Sequence, residues 1–331
     1  MSAVVDVAAD PGIPTLGVVL DPRGLAGILD GLLPGPDRGV RDLEIRVLRY
    51  HPGKRCVFEA AWRSPRGPRS WIGKVYAADR ADVYQTMEGI RRAGFGPDAA
   101  FSIPEPVAYL PEWRLLVQEN VAGLPATQLF LSDAGDDRRR QSARCAGWLA
   151  RFHAVAPPSG PIFDLGAYRH SIERWSHRVA GAGGAFADKA VELRQRLEVA
   201  VTRLRDVGMC AGHGSFTHHQ VIAANGRTVT FDWDDHALAD PAGDVARFVV
   251  GLRRLALRCL GSIRALDAAA DVFLDTYRSQ CRFEVGANLP FYAAAICLRL
   301  AKKDIGHHAE HWAEKAEATL DEGLRVLEGG G

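Results

Sequence analysis

The pattern of apolar and polar positions divides the chain into three parts. Residues 1–40 form a Pro/Gly-rich start followed by one short helix, which Asp21 caps and Pro22 opens at its first position. Residues 41–120 contain short apolar runs separated by turns, a pattern typical of strands. Residues 121–331 have mostly helical spacing. The apolar face of the first helix consists of Leu25, Ile28, Leu29 and Leu32.

The middle part predicts an antiparallel meander, because its apolar runs are joined by turns too short for a crossover. The first turn comprises residues 51–54, and the second comprises residues 64–68. One helix follows the third strand, since Val83, Met87 and Ile90 have the spacing of a single buried face. The five predicted strands are residues 43–48, 56–62, 71–76, 107–110 and 114–119.

One strand-like segment interrupts the helical third part. Two short apolar runs, at residues 221–222 and 229–231, flank Asn225 and Gly226. Asn-Gly favours the turn of a two-residue β-hairpin, because both positions then take a positive φ. We therefore expect an α+β protein in which a small five-stranded sheet with one helix precedes a larger helical lobe that carries one hairpin.

Composition narrows the function classes. Hydrophobic residues make up 47% of the chain and charged residues 24%, the balance of a globular protein with a sizeable core. A net charge of +1, from 41 basic and 40 acidic side chains, argues against binding to nucleic acid or to an anionic membrane. The start of the sequence has no basic segment typical of a signal peptide, and six scattered cysteines predict a reducing compartment. We therefore expect a cytoplasmic protein.

The residues that carry chemistry flank the hairpin. A polar segment from His213 to Gln220 precedes it, and a run of carboxylates beginning at Asp232 follows it. A hairpin brings its two ends together, so an amide oxygen and a carboxylate meet there. Hard oxygen ligands of this kind suit Mg²⁺ and leave room for phosphate oxygens.

These residues resemble the signature of the aminoglycoside phosphotransferase and choline kinase-like family, whose members are related to protein kinases. That signature runs HGDxxxxN, a hairpin, Asp-Trp-Glu/Asp and then Asp-Pro-x-x-Asp-Leu-Ala. The resemblance spans about residues 43–250 and is specific as a set. The matching residues are His213, Gly214, Asp232, Trp233, Asp234, Asp240, Pro241, Asp244 and Ala246, with Phe152-His153 similar to a Leu-His pair of the family.

The resemblance implies a bilobal protein-kinase-like fold with a nucleotide-binding N-lobe at residues 41–120 and an acceptor-binding C-lobe at residues 121–331. It implies ATP or GTP and Mg²⁺ as cofactors. Lys74 would contact the α- and β-phosphates, and Glu88 would be its helix partner, with Asp82 as the alternative. The other implied nucleotide contacts are Lys54 and Arg55 in the first turn, and Glu119 and Val121 at the hinge.

In the third part, the resemblance implies a metal site at Asp232 and Gln220. Asp244 would brace the catalytic loop, and Asp240 would likewise have a structural part. Asp234 and Asp235 line the acceptor pocket in one interpretation and form a solvated turn in the other.

Two positions depart from the family pattern. Gln220 replaces an asparagine and keeps an amide oxygen. Ser215 replaces the aspartate that accepts the proton of the acceptor hydroxyl, and serine is a poor base. The candidate catalytic residues are Ser215, His213 and His218, with a packed turn histidine as the alternative for His213.

Two function classes follow from these features. The first is a phosphotransferase that acts on a hydroxyl of a small molecule or of a peptide Ser or Thr. The second is a pseudokinase that binds nucleotide, peptide or a partner protein without efficient transfer, and Ser215 is its motivation. The sequence leaves the acceptor, the choice between ATP and GTP and the oligomeric state open.

Overall fold

The computed structural model describes residues 9–33, 38–64, 67–132, 135–308 and 310–329. The chain divides into two compact units, Met1–Ala122 and Gly123–Gly331. The turn predicted at residues 64–68 lies partly outside the described residues, as does most of the segment in which no signal peptide was expected.

The first unit contains three α-helices and six strands among its described residues. Its helices are α1 (Leu16–Val19), α2 (Pro22–Leu32) and α3 (Ala81–Ile90). Its strands are β1 (Arg41–His51), β2 (Arg55–Ser64), β3 (Gly67–Tyr76), β4 (Phe101–Ser102), β5 (Pro106–Leu110) and β6 (Leu115–Glu119).

Five of these strands form one antiparallel sheet in the order β1-β2-β3-β6-β5, which confirms the predicted sheet. Every second residue of β2 is buried, beginning with Cys56 and Phe58, because successive side chains point to opposite faces of a strand. Phe58 lies across from Gly73 on β3, where a Cβ atom would be 2.2 Å from the ring. Glycine at position 73 therefore makes room for the aromatic side chain.

Helices α1 and α2, which lie in the predicted N-terminal extension with its short helix, contribute to the hydrophobic core of the first unit. The carboxylate of Asp21 accepts a hydrogen bond of 2.7 Å from the N–H of Gly24, so the predicted cap of α2 is present. Leu25 and Leu29 on α2 and Leu16 on α1 are fully buried. They join one hydrophobic cluster with the buried face of β2.

The second unit is mostly helical. Its helices are α4 (Ala126–Leu131), α5 (Gly135–Val155), α6 (Leu165–Ala180), α7 (Gly184–Val201), α8 (Ala242–Cys259), α9 (Asp267–Gln280), α10 (Leu289–His307) and α11 (Trp312–Glu328). Its strands are β7 (Leu124–Pro125), β8 (Cys210–Gly212), β9 (Val221–Ala224), β10 (Arg227–Thr230) and β11 (Ala237–Ala239). Within the described part of the chain, no helix combines the length and apolar character needed to span a membrane.

The predicted hairpin is formed by β9 and β10. Asn225 and Gly226 at its turn have φ angles of 45° and 80°, as the Asn-Gly dipeptide predicts. Strand β7 extends this hairpin along β9, and β8 pairs separately with β11.

An aromatic cluster fixes the loop between β8 and β9 against the helices of the second unit. The ring of Phe216, in this loop, stacks on Trp148 of α5 at 5.6 Å and on Phe248 of α8 at 5.3 Å. Trp233, which follows the hairpin, lies 5.2 Å from Phe152. Since these five aromatic side chains are almost fully buried, the loop and the segment after the hairpin are held by the same core.

Candidate active site

Asp244 anchors the start of the loop from the first turn of α8. Its carboxylate accepts hydrogen bonds from the backbone N–H of His213 (2.7 Å) and of Gly214 (3.0 Å). Burial alone raises the pKa of a carboxyl, but the contact with His153 outweighs it and lowers the pKa of Asp244. A charged acceptor makes stronger hydrogen bonds than a neutral one, so the backbone of the loop is firmly held.

Gly214 is required by a close approach between two backbone segments. It has a φ of 75°, and a Cβ atom there would lie 1.9 Å from the carbonyl oxygen of Asp235. Any side chain at this position would push the loop away from the segment that follows the hairpin.

Ser215 faces an imidazole nitrogen that accepts a proton. The Nε2 atom of His213 lies 3.1 Å from the carbonyl oxygen of Phe231, and this contact places the ring proton on Nε2. The Nδ1 atom is then an acceptor, 3.2 Å from the hydroxyl oxygen of Ser215. Burial lowers the pKa of His213, which favours the neutral ring. The same hydroxyl lies 3.4 Å from the carbonyl oxygen of Asp232.

Asp232 and Gln220 lie at the open end of the hairpin. The N–H of Phe231 donates to the carbonyl oxygen of Gln220 at 3.0 Å, which places Gln220 beside the residue that precedes Asp232. Asp232 has a left-handed backbone, with a φ of 76°, a conformation that non-glycine residues adopt mostly at turns and functional sites.

The donor set at this end of the hairpin fits a magnesium ion. A carboxylate and an amide oxygen are the hard ligands that Mg²⁺ prefers. The amide oxygen of Gln220 accepts from the hydroxyl of Thr217 at 2.5 Å and keeps a second lone pair. No cluster of three or more His, Cys, Asp or Glu side chains suited to a metal occurs among the described residues.

The structure does not favour His218 as a base. Its side chain is 2% exposed, and its Nδ1 atom lies 2.7 Å from the hydroxyl of Thr127 on α4. Burial, followed by the neighbouring His219, lowers the pKa of His218 to about 3. A base this weak holds a proton poorly near neutral pH. The burial of His218 and its contact with Thr127 are typical of a residue that packs inside the fold.

Asp240 and Asp235 have different surroundings. Asp240 accepts hydrogen bonds from Asn288 (2.7 Å) and from the N–H of Ala242 (2.8 Å), and burial raises its pKa. Asp235 is exposed and contributes to the wall of a small pocket next to Gly214. Asp234 precedes it in a short 3-10 turn, Trp233–Asp235.

In the first unit, Lys74 is buried on β3 between Val57 and Leu116 of the neighbouring strands. Glu88 on α3 forms ion pairs with Arg91 (3.0 Å) and Arg92 (2.8 Å), and the hydrogen bond from Arg91 contributes most to lowering its pKa. A pair between Lys74 and Glu88 therefore stays a prediction, as does the alternative with Asp82.

The turn between β1 and β2 forms part of an open pocket in the first unit. Lys54 and Arg55 line it together with Tyr76 and Arg80, and its volume is 480 Å³. At the end of β6, the N–H of Glu119 donates to the carbonyl oxygen of Glu105 at 2.9 Å, and Val121 lies in the irregular segment that follows.

The same turn is tied to Asp10, a residue that no sequence motif singles out. Its carboxylate accepts from the N–H of Gly53 (2.7 Å) and from the hydroxyl of Tyr50 (2.8 Å). These two bonds, the first being the stronger, lower the pKa of Asp10. Gly12 packs so closely on the turn that a Cβ atom there would lie 2.5 Å from the Cα atom of Gly53.

Comparisons with known proteins agree with this geometry. The model of a family described as the phosphotransferase enzyme family matches residues 61–282. A search of curated proteins finds none that matches the chain.

Three solved structures are similar in fold. A choline/ethanolamine kinase family protein from Mesorhizobium loti is 14% identical with a TM-score of 0.61, over 95% of this chain and 93% of its own. Choline kinase LicA from Streptococcus pneumoniae is 14% identical with a TM-score of 0.59, over 93% of this chain and 98% of its own. Amicoumacin kinase hAmiN, solved with AMP-PNP, Ca²⁺ and amicoumacin, is 13% identical with a TM-score of 0.58, over 86% and 88%.

The family model covers well over half of the sequence and includes the loop, the hairpin, Asp240 and Asp244. The fold is bilobal and protein-kinase-like, with a five-stranded antiparallel sheet in the first unit and a mostly helical second unit. The chain belongs to the phosphotransferase enzyme family.

Proposed function

We propose that this protein transfers the γ-phosphoryl group of ATP or GTP to a hydroxyl group of a small molecule or of a peptide Ser or Thr. One observation carries the proposal: Asp244 holds a short loop that presents Ser215 beside Asp232, at the end of a hairpin. This arrangement is the one expected of a kinase catalytic loop, so it supports the proposal. The nucleotide analogue and divalent cation named with amicoumacin kinase support the same cofactors for this chain.

Each candidate residue then has a part in the reaction. Asp232 and Gln220 would hold Mg²⁺, which neutralises phosphate charge when bound. Lys74 would contact the nucleotide phosphates, and Lys54 and Arg55 would approach them from the turn between β1 and β2. Because phosphoryl transfer depends chiefly on positioning and charge stabilisation, these residues supply most of what the reaction needs.

Ser215 would act together with His213. The acceptor oxygen forms the new P–O bond while the bond to the leaving nucleoside diphosphate breaks. The acceptor proton passes to the oxygen of Ser215, and the hydroxyl proton of Ser215 passes to Nδ1 of His213, which lies 3.2 Å away. General base help is worth about 10²–10⁴-fold in rate, so this weaker pair predicts slow but measurable transfer.

The first experiment measures nucleotide binding by calorimetry, with and without Mg²⁺, for the wild type and Asp232→Ala. We expect Mg²⁺-dependent binding that Asp232→Ala abolishes. Asp271→Ala on α9 is the matched control, because this carboxylate is exposed on the second unit and should leave binding unchanged. No binding at millimolar nucleotide would contradict the proposal.

A nucleotide-binding pseudokinase is the second candidate. The side chain at position 215 is a hydroxyl that contacts His213 and the backbone of Asp232, and a hydroxyl is a weaker base than the carboxylate it replaces. Ser215→Asp separates the two functions when transfer is measured as ADP or GDP release over a panel of hydroxyl acceptors. Gain of activity would indicate a scaffold whose catalytic centre has decayed. Loss of an activity that the wild type possesses would assign a task to Ser215 itself.

A further inference from the structure

A series of side-chain contacts connects a cysteine of the second unit with the loop that carries Ser215. The thiol of Cys281, directly after α9, donates to the hydroxyl of Tyr277 at 3.2 Å. That hydroxyl lies 2.7 Å from Nδ1 of His153 on α5, whose Nε2 atom lies 3.5 Å from the carboxylate of Asp244. Asp244 in turn accepts from two backbone N–H groups of the loop. The thiol is thus one end of a cluster that ends at the candidate catalytic loop.

The four side chains of this cluster differ in their exposure to solvent. Cys281 is half-buried, whereas Tyr277, His153 and Asp244 are 0%, 2% and 4% exposed. A reagent dissolved in water therefore meets Cys281 before the three groups behind it. Because charges interact more strongly in a buried environment than in water, a change of charge at the sulfur affects those three groups.

The surroundings of Cys281 favour its thiolate form. Burial raises the pKa of this thiol, but contacts with His153, Tyr277 and the N–H of Phe283 outweigh burial and lower the pKa. Burial likewise lowers the pKa of His153, but Asp244 and Cys281 outweigh it and raise the pKa. A thiol next to an imidazole that a carboxylate stabilises in its charged form is typical of a reactive cysteine.

The buried cysteines of the chain have the opposite chemistry. Burial raises the pKa of Cys56 to about 11 and the pKa values of Cys145 and Cys297 to about 12. Burial also raises the pKa of Cys210. These four thiols pack as small apolar groups in the core, so Cys281 differs from them in both exposure and acidity.

We propose that Cys281 is a modification site for hydroperoxides and small electrophiles, and that its modification loosens the candidate catalytic loop. The thiol proton passes to the oxygen of Tyr277 while the hydroxyl proton of Tyr277 passes to Nδ1 of His153. With a hydroperoxide, the thiolate attacks the terminal oxygen, so an S–O bond forms while the O–O bond breaks. The leaving alkoxide or hydroxide takes the proton from His153 by way of Tyr277. The sulfur becomes a sulfenic acid, oxidised by the two electrons that reduce the peroxide.

Modification acts on the loop through the charge of His153. Without the thiolate, the pKa of His153 falls, because one of the two groups that raise it is lost. The buried carboxylate of Asp244 then loses its counter-charge, and burial favours its protonated form, which is a weaker acceptor. The hydrogen bonds from the N–H groups of His213 and Gly214 are weakened as a result. An effect on phosphoryl transfer rests on the proposed function, whereas the effects on the thiol and on the loop do not.

Alkylation by iodoacetamide tests the modification site without nucleotide or acceptor, and peptide mass spectrometry gives the rate at each cysteine. We expect Cys281 to react at least about 10-fold faster than Cys259 on α8, although Cys259 is more exposed. Tyr277→Phe should slow the reaction of Cys281 by about 10-fold, because it removes the hydroxyl that stabilises the thiolate. Tyr168→Phe on α6 is the matched control, because its ring packs on Phe163. A rate at Cys281 no higher than at Cys259, or an unchanged rate in Tyr277→Phe, would overturn the proposal.

The buried cysteines report on folding in the same experiment. Cys145 and Cys297 are fully buried, so both should stay unlabelled in every variant that keeps its fold. If Tyr277→Phe labels them, the comparison between Cys281 and Cys259 in the wild type decides alone. Hydrogen peroxide should block later alkylation at Cys281 before it does so at Cys259, and the reverse order would contradict the proposal.

Amide hydrogen exchange measures the effect on the loop. Alkylation of the wild type should speed exchange about 10-fold in the peptide that contains His213 and Gly214, because their N–H groups are held less firmly. Cys281→Ser, treated in the same way and compared with its own untreated sample, is the control and should show no change. Unchanged exchange in the alkylated wild type would refute the loosening of the loop.

Release of ADP or GDP separates this proposal from the proposed function. Alkylation should lower kcat of the wild type by about 10-fold and leave kcat of Cys281→Ser unchanged. An equal loss in both proteins would assign the inhibition to another cysteine and contradict the proposal. If Cys281 is labelled and the loop is loosened but no phosphate is transferred by the untreated protein, the proposed function fails and the modification site stands.

Discussion

The contact between Ser215 and His213 determines what this loop can do at the scale of single residues. A serine hydroxyl has no charge to attract a proton, whereas the neutral Nδ1 atom 3.2 Å away has a free lone pair. The carbonyl oxygen of Phe231 holds the ring in the tautomer that leaves this nitrogen open. The pair, and not Ser215 alone, therefore replaces the missing carboxylate in our proposal.

A double-mutant cycle measures this coupling. Ser215→Ala and His213→Gln should each lower kcat by about 10²-fold, because each interrupts the same proton path. The double variant should lose no more than either single variant. Initial rates at saturating nucleotide and acceptor provide the measurement, with circular dichroism to confirm folding. Losses that multiply to about 10⁴-fold would show that the two residues act independently.

His218 predicts a pH dependence of stability. Its pKa is lowered from 6.5 to about 3 in the folded protein, so the unfolded chain binds a proton first as pH falls. The stabilising contribution of the neutral ring is complete above pH 6.5 and is lost as the pH falls toward 3. Between these two pH values, one proton changes the free energy of unfolding by about 1.4 kcal/mol per pH unit.

The measurement is urea unfolding between pH 7 and pH 4.5 for the wild type and His218→Asn. Asparagine keeps a polar group for Thr127 but does not titrate. The free energy of unfolding of His218→Asn should therefore change less steeply with pH, by the contribution of one proton. His170→Asn on α6 is the control, because this histidine is exposed. Equal slopes in the wild type and His218→Asn would contradict the assignment.

At the scale of secondary-structure elements, packed aromatic side chains fix how strands, loops and helices lie against one another. Phe216 and Trp233 attach the loop and the end of the hairpin to one core, and Phe58 attaches β2 to β3 over Gly73. The contact of Phe58 depends on glycine at position 73, because even one methyl group there would overlap with the ring. The sheet of the first unit is thus sensitive to a very small change.

Gly73→Ala should destabilise the protein by about 1–3 kcal/mol, since its Cβ atom would overlap with the ring of Phe58. Gly27→Ala on α2 is the matched control, because no atom lies within 4 Å of its Cβ position. Alanine at an exposed helix position should instead stabilise by up to about 1 kcal/mol. Chemical denaturation of both variants measures the difference, and equal effects would contradict the packing argument.

At the scale of the whole second unit, Glu322 attaches the last helix to the rest. Its side chain is 2% exposed and lies 2.7 Å from Arg253, 3.0 Å from Arg264 and 2.8 Å from Arg325. A single carboxylate therefore connects α8, the segment before α9 and α11. Arg253 and Arg264 also pair with Asp267, at 3.2 Å and 3.0 Å, so the loss of the Glu322 charge removes one of the two partners of each.

Glu322→Gln should lower the free energy of unfolding by about 1–3 kcal/mol, because the buried carboxylate loses its charge while Asp267 still pairs with Arg253 and Arg264. Glu317→Gln on the same helix is the control, because its pair with Lys189 is half exposed and should contribute about 0–1 kcal/mol. Urea denaturation compares the two variants. A loss below about 1 kcal/mol for Glu322→Gln would show that the arginines find other partners.

Local signals in the sequence predict the fold well, but they predict the site only in part. The Asn225-Gly226 turn, the Asp21 cap and the alternation in β2 are local features, and the structure contains all three. Asp10 shows what local signals leave out, because its partners Tyr50 and Gly53 lie 40 and 43 residues away in the sequence and no short motif connects them. His218 is near Ser215 in the sequence, which makes it a candidate base, but its burial in the folded protein lowers its basicity.

The tie between Asp10 and the turn at Gly53 has a consequence for how this sequence can change over generations. Two glycines 41 positions apart lie in contact, and one carboxylate holds the backbone of the turn. A lineage that lengthens this turn, or gives it a larger residue, has to lose or rebuild the start of the chain as well. Positions 10, 12 and 53 should therefore vary together among descendants of this sequence, as one inherited unit.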